Sequence, residues 1–158
     1  MSEQQPQPVF VIERIYLKDA SVEVPNAPQV FLEQTSPAID IQLRNEARVV
    51  DDGLYEVVLT TTVTAKLQDR TVFLVEVAQG GLFRIGPLQQ HELELVINVV
   101  CPTNLLPYAR EAIAGLLGRA SFPPVTLPHV SFEEIYQKRL QELQQQQQAA
   151  AAPAAGHA

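Results

Sequence analysis

Residues Leu54–Leu67 read LYEVVLTTTVTAKL. Tyr55, Val57, Leu59, Thr61 and Val63 project to one side of an extended chain, and β-branched side chains recur throughout. The stretch predicts a strand, and its flanks predict hairpins. Asp51-Asp52-Gly53 before it is a turn signal, and Gln68-Asp69-Arg70 after it is a short polar turn. Connections this short place consecutive strands side by side and antiparallel.

Upstream, Ala38–Arg44 alternates, with Ile39, Ile41 and Leu43 opposing Asp40, Gln42 and Arg44. Downstream, Thr71–Ala78 has Phe73, Val75 and Val77 on one face and Val72, Leu74, Glu76 and Ala78 on the other. Gly80-Gly81 predicts a bulge or sharp bend before Leu82–Ile85 continues. A further strand is expected over Val9–Val24. Its second half alternates cleanly, Asp19, Ser21 and Glu23 against Ala20, Val22 and Val24; its first half does not, which predicts a bend or bulge. Pro25 and Pro28 end it. The loop Pro25–Pro37 carries Val30, Phe31 and Leu32, three large apolar residues that need cover.

Helical spacing appears in the second half. Leu93–Val100 (LELVINVV) suits either a strand or a buried helix ended by Pro102. Pro107 suits a first helical position, and Tyr108, Ala109, Ala112, Ile113, Leu116 and Leu117 then form one stripe closed by Gly118. Ser131 and Glu134 have capping-box spacing for a second helix carrying Phe132, Ile135, Tyr136, Leu140 and Leu143. The organisation expected is an α+β domain over residues 9–143, a disordered lead-in at 1–8 and a disordered Gln/Ala-rich tail at 144–158.

The chain has 158 residues, 46% of them apolar, enough for one well-cored domain. A formal net charge of −7 argues against nucleic acid as partner, because phosphate contacts need clustered Lys and Arg. The single cysteine, Cys101, excludes an intrachain disulfide and reads as a buried apolar residue. No basic leader followed by a long apolar run opens the sequence, and no stretch is long enough to cross a bilayer, so a cytoplasmic address without membrane insertion is expected. His91, His129 and His157 pair neither with each other nor with Cys101 at metal-ligand spacing. Gly80-Gly81 lacks the Lys-Ser/Thr of a phosphate loop. No enzyme, metal or cofactor is expected. What stands out instead is a surplus of apolar residues in loops, including Phe31, Phe122 and Leu127.

Ile15-Tyr16-Leu17-Lys18-Asp19, Val24-Pro25-Asn26-Ala27-Pro28, Tyr55-Glu56-Val57-Val58-Leu59 and Val75-Glu76-Val77-Ala78-Gln79-Gly80-Gly81 resemble SecB, the bacterial preprotein export chaperone. So do Cys101-Pro102, Leu106-Pro107-Tyr108-Ala109-Arg110-Glu111 and Phe122-Pro123-Pro124. The resemblance runs from about Phe10 to Tyr136. It implies a four-stranded antiparallel sheet with two main helices packed on one face, assembled as a homotetramer, a dimer of dimers. It implies helix over Leu93–Val100. It implies an ATP-independent holdase for unfolded preproteins, with a peptide groove at Phe31, Phe122, Leu127, Phe132 and Tyr136. A second site, for the SecA motor, falls on Asp19, Glu23, Leu74 and Glu76. Val75, Val77 and Gln79 fall on the oligomer interface. The zinc associated with this docking belongs to SecA. The alternative is a SecB-like chaperone serving another dedicated client, such as a toxin–antitoxin pair. The Gln/Ala-rich tail departs from the polar, often acidic tails of the family.

Overall fold

The computed structural model describes residues 7–152, so the two chain ends lie outside it, including most of the expected lead-in. Four strands, β1 (Val9–Glu23), β2 (Ala38–Asp51), β3 (Leu54–Leu67) and β4 (Arg70–Gly86), form one antiparallel sheet in the order β1-β4-β3-β2. The two turns flanking β3 make the expected meander, and β1 returns along the free edge of β4. Gly53, at a φ of 67°, supplies the left-handed residue of the β2–β3 turn.

Two strands differ from expectation. β2 continues past Arg44 to Asp51, because Asn45, Ala47 and Val49 keep pairing with Leu59, Val57 and Tyr55 although they weaken the apolar alternation. β4 runs unbroken through Gly80 and Gly81. The glycines are there for two aromatic rings. A Cβ on Gly80 would lie 2.5 Å from the Tyr16 ring, and one on Gly81 would lie 2.6 Å from the Phe83 ring. The register breaks occur in β1 instead, between Ile12 and Arg14 and between Leu17 and Asp19. They account for its uneven alternation.

The helical half begins with α1 (Gln90–Leu95), passes through a π-helical segment, Val96–Val100, and continues as α2 (Cys101–Arg119). The helical alternative for Leu93–Val100 therefore holds. Pro107 sits inside α2 and not at its start. It is Pro102 that lies in the first turn, where a missing N–H is tolerated. The wide π turn just before Pro102 is closed by side chains. Thr103 Oγ1 donates to the Val99 carbonyl at 2.5 Å and Asn104 Nδ2 to that of Val100 at 2.8 Å.

α2 crosses one face of the sheet. Ala109, Ile113 and Leu117 pack on Val63, Phe73, Val75 and Val77; Cys101, Leu105 and Leu106 pack on Val57, Leu59, Phe83 and Ile85. Tyr108, expected on this stripe, is exposed. Val75, Val77 and Gln79, expected at an oligomer interface, are sealed beneath the chain's own α2, which leaves them no surface for a second copy. α3 (Phe132–Ala151) is the other correction. Only its first residue, Phe132, enters the core; the helix otherwise meets the body chiefly at the π segment. It continues as helix through Gln144–Ala151, well into the Gln/Ala-rich stretch. Alanine and glutamine are good helix formers.

Candidate functional site

The sheet has two faces, and each gathers one of the expected sites. On the α2 side, the helix covers β3 and β4 but leaves the matching face of β2 partly open. Two cavities flank that strip. The first, about 370 Å³, lies between the Gln29–Leu32 turn, the start of β2 and the α2–α3 loop. Val30, Phe31, Ile39, Leu67, Phe73, Phe122 and Val125 line it. Phe122 is the hub: its ring stacks on Phe31 at 5.4 Å and tilts against Phe73 at 4.9 Å. Phe73 and Val30 belong to the core, while Phe31 is 49% exposed and Leu32 is 82% exposed. The sequence places three apolar residues in this loop because the first anchors it and the other two remain available.

The second cavity, about 210 Å³, opens between β2 and the first turns of α3. Leu43, Asn45, Leu59, Phe132, Ile135 and Tyr136 line it, with Arg44, Asn98 and Arg139 at the polar rim. Asn45 Nδ2 donates to the Ile97 carbonyl at 3.0 Å, and its Oδ1 is a buried acceptor without a partner among the described residues.

Of the five expected groove residues, the structure brings Phe31 and Phe122 together in the first cavity and puts Tyr136 in the second. Leu127 and Phe132 are both buried, at 7% and 5% exposure; Leu127 lines neither cavity, whereas Phe132 lines the second. Leu127 packs with Ile113 and Leu117 and holds the loop down; Phe132 pins the start of α3 and gives the second cavity its floor. Ile39, Ile135 and Asn45 line the two cavities without having been expected there. Alternation marked Ile39 as apolar, but only the reach of α2 decides that this end of β2 stays uncovered. Among the described residues the outer edge of β2 pairs with no strand. Its free backbone groups run from one cavity to the other.

The opposite face of the sheet carries the acidic set. Glu23 pairs with Leu74, Ser21 with Glu76 and Asp19 with Ala78, so Asp19, Glu23, Leu74 and Glu76 occupy three adjacent rows on one face. Asp40, which sequence reading passed over, extends the Glu23–Leu74–Thr64 row onto β2. Thr62 Oγ1 donates to Glu76 Oε2 at 2.9 Å and orients that carboxylate toward solvent. Leu74 is half-buried between these charges. Cys101 is inert: it is fully buried, and burial pushes its thiol up to about 12.

Comparison with known proteins decides the family. The profile described as preprotein translocase subunit SecB matches residues 3–143. The chain belongs to the SecB family. The protein-export protein SecB of Dechloromonas aromatica is 56% identical over 140 residues, covering 89% of this chain and 92% of that one. Those of Nitrosospira multiformis and Chromobacterium violaceum are 51% and 53% identical, each over 91% of this chain and 91% and 97% of their own. A SecB-like chaperone of Mycobacterium tuberculosis, solved with a peptide from an antitoxin, shares the fold. Its TM-score is 0.64 at 20% identity, over 77% of this chain and 90% of that one.

Proposed function

We propose that this SecB-family chain is an ATP-independent export chaperone that holds preproteins unfolded in the cytoplasm and hands them to SecA. The observation that carries the reading is the Phe31–Phe122–Phe73 stack. It walls an open apolar cavity with a half-exposed aromatic at its mouth. Burying large apolar side chains there contributes roughly 1.5–3 kcal/mol each and demands no exact geometry. Two such cavities joined by a free strand edge suit an extended chain. Side chains enter the cavities while backbone groups pair with β2 whatever the sequence. A folded client hides both kinds of group, so selection is for the unfolded state.

The acidic face supports delivery. Carboxylates at Asp19, Glu23 and Glu76 around an apolar Leu74 suit a basic segment of SecA carrying its own zinc. The two sites lie on opposite faces, so one chain can hold a client and meet the motor together. Assembly as a dimer of dimers is supported by β1. Val9, Phe10, Val11, Ile12 and Leu17 are exposed along a strand whose outer edge is unpaired among the described residues, and an edge of this kind calls for cover.

A dedicated antitoxin client is the weaker reading. The chain is 56% identical to an export SecB and only 20% identical to the antitoxin-bound chaperone. The test is refolding of an unfolded preprotein with stoichiometric chaperone and no nucleotide. Delayed refolding is expected, and Phe31→Ala with Phe122→Ala should abolish the delay. Refolding at the unassisted rate with the native chain would overturn the holdase reading. Asp19→Ala and Glu76→Lys should weaken SecA binding while the delay persists.

A further inference from the structure

The acidic face contains one carboxylate that is not exposed. Glu56, on β3, has a side chain only 8% exposed although it lies on the solvent face of the sheet. Three groups cover it. The Tyr16 hydroxyl donates to Oε2; Lys18 Nζ reaches Oε1 at 2.9 Å and Arg48 Nε reaches it at 2.8 Å. Tyr16 gets there by lying flat across β4 where Gly80 has no side chain to obstruct it. Burial works to raise the Glu56 pKa; the bonds from Tyr16, Arg48 and Lys18 outweigh it and hold the carboxyl at about 2. The cluster is therefore charged at every physiological pH.

Its place in β1 is what matters. Tyr16 stands just before the register break and Lys18 within it: Leu17 faces Gln79 and Asp19 already faces Ala78. Lys18 is the extra residue. In a regular strand Tyr16, Lys18 and Ala20 would share a face, and Asp19 would turn toward Val77 and the core. The added residue shifts the alternation by one, so Tyr16, Asp19, Ser21 and Glu23 come to share the solvent face while Ala20 and Val22 enter the core. Core packing demands a bulge somewhere between Tyr16 and Ala20 but does not choose the residue.

We infer that Glu56 is a positioning residue for motor docking: by gripping Tyr16 and Lys18 it pins the β1 bulge at Lys18 and thereby aims Asp19 and Glu23 outward beside Leu74 and Glu76. This rests on the reading of the acidic face as the SecA site. It makes a prediction that charge alone does not. Lys18→Met makes the face more negative, which on electrostatic attraction should tighten SecA binding; release of the bulge should weaken it. Tyr16→Phe changes no charge.

The experiment measures purified SecA affinity for the full chain, Tyr16→Phe, Lys18→Met and Glu56→Gln. Amide hydrogen exchange across residues 16–23, thermal midpoint and preprotein holding are read on the same samples. The expected result is about fivefold to tenfold weaker SecA binding for Tyr16→Phe and Lys18→Met, faster exchange confined to β1, and unchanged holding. Lys18→Arg should restore binding. Unchanged or tighter SecA binding with native exchange would overturn the inference. So would an equal loss of preprotein holding, which would make the cluster a general fold element. Asp19→Ala reads the docking face by itself. If that variant binds SecA normally, the docking reading fails, and faster exchange in the cluster variants then decides whether the bulge is still pinned.

Discussion

At the residue scale, the strongest electrostatic commitment of the chain is Glu56. Its carboxyl titrates near 4.5 when free and near 2 in the fold. Ionised Glu56 therefore stabilises the fold fully above about pH 4.5, and the contribution is lost as pH falls through 2. Glu56→Gln should flatten the acid limb of a pH–stability profile between these values, measured by urea melts. The cost at pH 7 should be about 1.5–3 kcal/mol, the range of hydrogen bonds to a charged group. Gly80→Ala tests the same bracket from below. The added methyl collides with the Tyr16 ring, and a loss of about 1–3 kcal/mol is expected. Tyr16→Ser should relieve the collision, so a double-mutant cycle should show strong coupling between the two positions. Phe31→Ala is milder. The ring is already half-buried, so a client gains only the rest of it, and affinity should fall roughly fivefold to tenfold, by about 1 kcal/mol.

At the element scale, β2 and α3 line the proposed client groove and are the least supported by the rest of the molecule. β2 gives one edge to β3 and keeps the other free. α3 is pinned by Phe132, capped where Ser131 Oγ accepts from the Glu134 amide at 3.3 Å, and thereafter mostly exposed. Truncation after Leu143 should remove helical signal in circular dichroism but leave the thermal midpoint within about 2 °C, since the lost residues contribute nothing to the core. A larger drop would mean that the distal helix packs on something. The helix stripe of α2 was legible from its spacing. Its true start was not, because Pro107 resembles a first-turn proline and only the packing of Cys101, Leu105 and Leu106 on Val57 and Phe83 shows that the helix is already under way.

At the scale of the whole molecule, the proposed function has the sheet separate two tasks. Apolar cavities lie on the α2 side, carboxylates on the other. SecA affinity should fall steeply as salt rises from about 0.05 to 0.5 M, because exposed charges are screened over about 10 Å at 0.1 M, while preprotein holding should persist. Parallel salt titrations of the two activities check this. Sedimentation should give a particle of four chains, and Leu17→Lys, which charges the exposed β1 edge, should shift it toward smaller species.

The chain's own letters determined four strands, the meander around Leu54–Leu67, the core face of each strand and the family, because alternation and helical spacing are local periodicities. Parity also put Asp19 with Glu23 and Leu74 with Glu76; the resemblance joined the two pairs, and only the register of β1 on β4 sets them side by side. Tertiary structure alone decided which apolar residues remain available. Phe31 and Leu127 look alike in sequence; one is left at a cavity mouth and the other is pressed under α2, because burial depends on how far a neighbouring helix reaches. The same holds for Lys18, whose role as the extra residue in β1 exists only against the register of β4. Periodicity is written along one chain segment, whereas cover and register belong to pairs of segments that meet only after folding.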